Sequence, residues 1–368
     1  MKTRGLYIHI PFCMRKCLYC DFYSVTGKTE LMGQFVSAVL TEAKTYAGDR
    51  IDTIYLGGGT PSLLGPDHLP TLMSELAKVF NLSGLSEATI EVNPDTATPD
   101  FYETARRCCF NRISVGVQSL SDAELHQSGR LHNSNQALQT LQQARNAGFT
   151  NVSADIIIGL PGQTWKSLEN TIERLLATGI NHISAYCLSV EEGAPFAVNR
   201  PDSLPDDNLQ ANLYKKTIRC LKHHGFIHYE ISNFCEPGME CLHNLNYWRS
   251  GDYIGLGPAA ASHINGFRYS NVADLQKYLA EPAGVRSEIE CLATPDKLGE
   301  EAMLRLRLLC EGFDLADIQR KYATEAEGLS QRLGMLVGNR SLFKRGSRYF
   351  VPSSRVLTCN TILADVLS

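Results

Sequence analysis

An incomplete (β/α)6 barrel, followed by a smaller C-terminal unit made mostly of helices, is the fold class this sequence predicts. Six short runs rich in β-branched and aromatic residues each precede a stretch of helical periodicity. Strands that alternate with helices imply parallel pairing with right-handed crossovers. The pattern changes near residue 200 of 368, before the eight units of a complete TIM barrel. With 43% hydrophobic residues, the chain can bury a large core and fits one barrel-sized domain plus a smaller one.

The barrel unit, residues 1–232, opens with a strand at Leu6 to Ile10 that Pro11-Phe12 turns into a loop. Gln34 to Tyr46 has helical periodicity. Asp52 to Leu56 is a β-branched, apolar strand ending in Gly57-Gly58-Gly59-Thr60-Pro61-Ser62, and the helix Asp67 to Val79 follows it. Further strands are expected at Thr89 to Val92, Ile113 to Val117, Val152 to Ile158 and His182 to Cys187. Helices near Phe101 to Cys108, Asn135 to Asn146 and Leu168 to Ala177 separate them. Asp206 to His223 is a further amphipathic helix, and Phe226 to Ile231 an extra edge strand. Residues 233–294 are rich in Gly, aromatics, His and Asn, which predicts irregular loops and short strands. Residues 295–368 predict several helices and a basic hairpin at Leu342 to Val351, an order that resembles a winged helix.

A net charge of −4 and a pI near 6.2 argue against a general polyanion binder, so no nucleic-acid partner is expected despite the basic hairpin. The twelve cysteines are scattered through a long chain with no secretory signal ahead of them, which predicts a reducing cytoplasm. No apolar run reaches the ~18 residues of a membrane span.

The stretch Tyr7-Ile-His-Ile-Pro-Phe-Cys13-Met-Arg-Lys-Cys17-Leu-Tyr19-Cys20 carries the chemistry. Structural zinc wants four ligands, whereas three thiols with no fourth nearby suit a [4Fe–4S] cluster with one open iron. The spacing resembles the C-x3-C-x-aromatic-C loop of radical S-adenosylmethionine (SAM) proteins, with Tyr19 as the aromatic. In that superfamily the open iron chelates the amino and carboxylate groups of SAM, and reduction of the cluster cleaves SAM to a 5'-deoxyadenosyl radical.

In β/α barrels, reactive groups project from the C-terminal ends of the strands. Gly58, Gly59 and Thr60 follow the second strand, where exposed backbone groups can bind an amino acid's polar head; such a turn is otherwise a tight connection. Glu91 ends the third strand, Gln118 ends the fourth, and Asp155 lies within the apolar fifth. Each needs a partner, which is either a ligand or a structural hydrogen bond. Arg130, in Ser128-Gly129-Arg130, is a planar donor for a carboxylate.

These motifs together resemble the oxygen-independent coproporphyrinogen III oxidase group of the radical SAM superfamily. Residue by residue, the resemblance implies a [4Fe–4S] cluster on Cys13, Cys17 and Cys20. It implies SAM contacts at Tyr7, Tyr19, Gly58, Gly59, Thr60, Glu91, Gln118, Arg130 and Asp155. Oxidases of the group carry a further cysteine two positions after the third cluster cysteine, where this chain has Phe22, and an N-terminal extension where this chain has six residues before Tyr7. His243-Asn244-Leu245-Asn246-Tyr247-Trp248 is similar to the HNxxYW motif of the HemW heme-chaperone branch. An imidazole can ligate heme iron and aromatic rings can cover the macrocycle, which makes His243, Tyr247 and Trp248 the candidate heme residues. From residue types alone, His243 equally caps a turn while the two aromatics pack. Cys235 and Cys241 flank this motif but match no cluster spacing, so one cluster is expected.

The resemblance therefore implies a heme carrier that binds a cluster and SAM and delivers heme to an acceptor hemoprotein, with flavodoxin or ferredoxin as reductant. The alternative is the oxidase itself, acting by radical decarboxylation of propionate side chains, whose substrate carries several carboxylates and calls for a cationic pocket. A radical enzyme acting on RNA is a more distant third reading.

Overall fold

The structure, a computed structural model, describes residues 3–284, 286–322 and 326–367. Met1, Lys2, Val285, Ala323 to Glu325 and Ser368, which fall within the expected barrel, middle and C-terminal ranges, lie outside the described residues.

The six expected strands are present: β1 (Thr3–Ile10), β2 (Arg50–Gly58), β3 (Glu87–Val92), β4 (Arg112–Gln118), β5 (Asn151–Ile158) and β6 (His182–Cys187). They pair in that order, all parallel. Helices Met32–Ala43, Gly65–Val79, Pro99–Arg107, Ser134–Asn146 and Trp165–Leu176 supply the crossovers, and Asp207–His223 follows β6. Several helices are capped as their sequences suggest. Thr98 accepts from Phe101 N–H, Asn133 and Gln136 form a capping box, and Asp206 accepts from Leu209 N–H.

The alternation in Leu6-Tyr7-Ile8-His9-Ile10 sorts the two faces of the sheet. Leu6, Ile8 and Ile10 have no solvent exposure and join Phe35, Val39, Leu72 and Leu76 in the layer between strands and helices. Each such side chain contributes ~1.5–3 kcal/mol. The other face carries Tyr7, Tyr55, Glu91, Ser114, Asp155 and Ser184. Tyr7 lies opposite Tyr55, Glu91 opposite Ser114, and Asp155 opposite Ser184. This inner face is polar, so the barrel interior is a lined site as well as a packed core.

Residues 227–235 form a hairpin, β7 (Ile227–His228) and β8 (Asn233–Cys235), in which β8 lies antiparallel to β6 and β7 takes the edge. The segment 233–294, expected to hold irregular loops and short strands, contains short strands, and these extend the barrel sheet. It supplies β9 (Tyr253–Leu256), which joins the free side of β1 as a seventh parallel strand. It continues through β10 (Ala261–Ile264), β11 (Phe267–Asn271) and β12 (Arg286–Cys291), an antiparallel meander that brings the sheet to twelve strands. The physical reason is edge pairing: β1 exposes a row of backbone groups, and Gly255 and Gly257 allow backbones to meet where a Cβ would lie 2.0 Å from Ala261 O and 2.5 Å from His9 O.

Beyond residue 294, helices Thr294–Leu306, Leu315–Tyr322, Ala326–Gly338 and Cys359–Leu367 pack with a three-stranded sheet of Phe313–Asp314, Phe343–Arg345 and Arg348–Phe350. This unit is winged-helix-like and has its own core, including Leu298, Ala302, Phe313, Leu329, Leu333 and Ile362. In the basic hairpin, Arg348 pairs with Asp314 at 3.3 Å, which spends one of its charges internally. Among the described residues no helix is long and apolar enough to cross a membrane.

Candidate functional site

The cysteine loop is held from three sides. Val25 N–H donates to Pro11 O, forming a two-residue parallel pair with Phe12 and Cys13. Leu18 N–H donates to Ser128 O at 3.1 Å, and Phe196 N–H to Leu18 O at 2.8 Å. Gly129, at φ +76°, makes the close approach possible, since a Cβ there would lie 2.9 Å from Leu18 Cγ. Cys13, Cys17 and Cys20 are all free and half-buried on this loop. Burial pushes the Cys20 thiol up to about 11 and raises that of Cys13, with the neighbouring Cys17 sulfur adding to both. Two donors reach the sulfurs: Thr60 Oγ1 lies 3.5 Å from Cys13 Sγ, and Arg130 Nη1 3.5 Å from Cys17 Sγ.

Among the described residues no three His, Cys, Asp or Glu side chains are arranged to hold a single metal ion. The donor set nonetheless fits an iron–sulfur cluster: three soft thiols without a fourth, with hydrogen-bond donors at two sulfurs of the kind that tune a cluster's potential.

The glycine turn meets this loop edge on. Gly59 N–H donates to Ile10 O at 2.8 Å, and a Cβ at Gly59 would lie 2.7 Å from Phe12 O. Gly58, at φ +105°, leaves room for the His9 ring, which a Cβ would meet at 2.7 Å. Thr60 accepts from Asn93 Nδ2 at 2.9 Å. Arg130 also donates to Asn93 Oδ1 at 2.9 Å and to Gly116 O at 2.7 Å, so its guanidinium joins the cysteine loop to the ends of β3 and β4. Tyr19 is partly buried beside Arg130 and Cys17, and desolvation raises its phenol. Gln118 has φ +65° at a register shift in β4, and a non-glycine residue held there is a strained position of the kind found at functional sites.

A hydrogen-bonded row crosses the inner face. Tyr55 Oη donates to Glu91 Oε1 at 2.8 Å, and Ser114 Oγ donates to Asp155 at 3.0 and 3.2 Å. Tyr7 Oη lies 3.1 Å from His9 Nδ1. Burial, then the Asp155 charge, pushes the Glu91 carboxyl up to about 7, and burial also raises Asp155. Because the folded value of Glu91 exceeds the ordinary 4.5, its contribution to stability is full below about 4.5 and is lost as pH rises through 7. Glu230, likewise pushed to about 7 by burial, acts in the same direction. In the cofactor-free protein, Glu91→Gln is expected to reduce the fall in stability between pH 5 and 7.5. Urea unfolding at both pH values is the check, and an unchanged pH slope would refute the assignment.

The expected heme residues lie on a short helix, Leu242–Trp248, inside the sheet. Its N-terminus is fixed by Glu87 on β3, which accepts from Leu242 N–H at 2.8 Å and His243 N–H at 3.0 Å. Both ring nitrogens of His243 are engaged, Nδ1 with Thr53 Oγ1 and Nε2 with Tyr247 Oη, each at 2.8 Å. The ring stacks on Tyr55 at 5.2 Å, and burial with the Arg112 charge holds its pKa down to about 3. His243 is thus a buried neutral imidazole whose bonds orient Tyr247. Cys235 and Cys241 are fully buried.

A cavity of about 650 Å³ joins the two groups of candidates. Tyr7, Gly58 and Glu91 line it from the barrel, Phe22 and Tyr23 from the cysteine loop, and Tyr247, Trp248, Tyr253, His263 and Arg268 from the added strands. His243 does not line it. Sequence reasoning missed His9, Tyr55, Asn93, Ser114, Thr53, His263 and Arg268. The strand alternation around Tyr7 pointed to His9 and Tyr55, whereas β10 and β11 lie in a segment read as loops and short strands, in which no residue was assigned to a face.

Comparison with known proteins follows the same division. The sequence pattern of the Radical SAM superfamily matches residues 7–175. The chain is 34% identical over 322 residues to the heme chaperone HemW of Lactococcus lactis subsp. lactis, covering 85% of each chain. It is 35% identical over 338 residues to the heme chaperone HemW of Bacillus subtilis, covering 89% of each. Among solved structures it resembles coproporphyrinogen III oxidase (HemN) from Escherichia coli, with a TM-score of 0.87 at 23% identity over 100% of this chain and 90% of that one. At that identity the likeness is one of fold.

Proposed function

We propose that this chain, which belongs to the HemW family of heme chaperones within the radical SAM superfamily, binds heme and delivers it to acceptor hemoproteins. The observation that carries the reading is the composition of the cavity. Its walls present the aromatic side chains of Tyr7, Phe22, Tyr23, Tyr247, Trp248 and Tyr253, a surface suited to a flat macrocycle. Arg268 is the one Lys or Arg on its described lining, and it already pairs with Glu290 at 3.5 Å and Glu300 at 2.5 Å. A substrate with several propionates would call for more cations than that. Phe22, 62% exposed at the cavity, stands where the oxidases carry their extra cysteine and adds apolar surface.

In this reading Cys13, Cys17 and Cys20 hold the [4Fe–4S] cluster, with Thr60 and Arg130 donating to its sulfur ligands. The cluster supplies an open iron for SAM and an electron when a flavodoxin or ferredoxin provides one. Around it, the 58–60 turn offers backbone groups to the amino-acid head of SAM, Arg130 and Gln118 offer donors, and Glu91 and Asp155 accept. Tyr7 and Tyr19 frame the site. Heme lies on the other side of the same cavity, against Tyr247 and Trp248, with His243 holding Tyr247 in place. The working compartment is the cytoplasm.

The test uses the anaerobically reconstituted full chain. Ferric heme is expected to bind with a defined Soret band and to pass to an apo-cytochrome. With coproporphyrinogen III, SAM and a reductant, mass analysis should show no decarboxylated tetrapyrrole. Loss of carboxyl groups over multiple turnovers would make the protein an oxidase, and absence of heme binding would end the carrier reading.

A further inference from the structure

We infer that His263, which no sequence motif singles out, ligates the iron of the carried heme through Nε2; the inference rests on the carrier reading above. Two imidazoles line the cavity and a third stands behind it, and their hydrogen bonds separate them. His9 is engaged at both nitrogens, Nδ1 with Tyr7 Oη at 3.1 Å and Nε2 with Tyr23 O at 2.8 Å. His243 is engaged at both nitrogens and is not part of the cavity lining. Among the described residues His263 makes one hydrogen bond, Nδ1 to Gly251 O at 3.3 Å, and its Nε2 has no hydrogen-bond partner. A backbone carbonyl can only accept, so Nδ1 carries the proton and Nε2 keeps its lone pair. A histidine anchored by Nδ1–H to a carbonyl, with Nε2 open to a cavity, is the arrangement that metal-ligating histidines use.

Strand register places complementary groups beside it. Tyr253 on β9 lies opposite His263 on β10, His263 lies opposite Arg268 on β11, and Arg268 lies opposite Glu290 on β12. Directly opposed residues share a face, and adjacent strands run about 4.8 Å apart. Ser262, between the cavity-lining Ala261 and His263, turns to the other face and donates its hydroxyl toward Gly255 O. One face therefore presents an aromatic ring, an open imidazole and a guanidinium in sequence. The first two match the macrocycle and the iron of heme, while the guanidinium is held by Glu290 and Glu300. Tyr247 packs edge-on against Tyr253 at 4.5 Å and extends the aromatic wall.

Ligation balances simply. One Fe–N bond forms as a water on ferric heme leaves, with no change in iron oxidation state.

The test titrates ferric heme into the full chain and two variants, His263→Gly and His263→Gln. Wild type is expected to show an Fe–His stretch in the reduced complex by resonance Raman. Both variants should lose that band and bind heme about tenfold more weakly or worse, roughly the loss of 1.4 kcal/mol. Free imidazole should restore the band and the affinity in His263→Gly, which a purely structural role would not produce. Thermal melts equal to wild type in either variant suffice to exclude misfolding. If the variants keep the wild-type band and affinity, His263 is not the ligand and the carrier reading stands. If wild type itself binds no heme, the carrier reading falls and the inference with it.

Discussion

Cys17→Ala is expected to leave the anaerobically reconstituted protein without its broad visible absorbance and with iron and sulfide near zero. Three thiols are present on the loop and no fourth stands by, so losing one leaves two anchors for four irons. Cys17 is the thiol that Arg130 approaches at 3.5 Å, so the same change removes a partner of the guanidinium that links the loop to Asn93 and Gly116. The fold itself should persist. The loop's backbone bonds to Ser128 and Phe196, and the pairing of Phe12 and Cys13 with residues 25 and 26, do not use the Cys17 side chain. Circular dichroism should match wild type while the metal is absent. By contrast, Cys235→Ala removes a fully buried thiol on β8 and should leave the iron content unchanged. A Cys17→Ala protein that retains a full cluster would refute the ligand set, and two clusters per chain in wild type would refute the single-cluster expectation.

The barrel was legible because its strands are short, β-branched and buried on one face, so period and composition agree over residues 1–200. The cysteine loop and the strand-end residues were legible because chemistry there needs particular side chains at particular spacings. What sequence did not convey was the role of residues 253–291. Their pairing is set by the open edge of β1, a property of the assembled sheet, and their composition read as loops and short strands without saying what those strands pair with. The same limit applies to His243. A histidine followed by tyrosine and tryptophan suggested a ligand, but its two hydrogen bonds, to Thr53 and Tyr247, depend on where the helix 242–248 docks. His263 carried no signal for the complementary reason: its open nitrogen is visible only once Gly251 is seen to take the other one.

Arg112→Met should destabilise the protein by about 3–5 kcal/mol and abolish heme binding while leaving the cluster in place. Arg112 opens β4 and is 2% exposed, the largest of the fully buried side chains, with an unpartnered Nε. It stands in the field of Cys241, Glu87, Tyr55 and Tyr229, and its charge offsets the burial that raises both Glu91 and Asp155. Glu87, 3% exposed, holds the N-terminus of the helix 242–248 through two backbone N–H groups and the Cys241 thiol. Methionine fills much of the arginine volume, so what is removed is the charge and not the packing. Glu87 is then a buried carboxylate that has lost the guanidinium charge facing it, and its hold on the helix weakens. That loosens the backbone N–H groups that fix His243, and through His243 the Tyr247 wall of the cavity. The cluster loop, tied instead to Ser128, Phe196 and Arg130, lies outside this chain of contacts. Urea unfolding, iron analysis and heme titration of the same preparation separate these consequences. A loss of stability below about 1 kcal/mol, or loss of the cluster together with heme, would mean that Arg112 does not support the cavity wall in this way. Restoration of heme binding by adding Glu87→Gln to Arg112→Met would identify the uncompensated carboxylate as the cause, because the amide keeps an acceptor for the helix N-terminus without the charge.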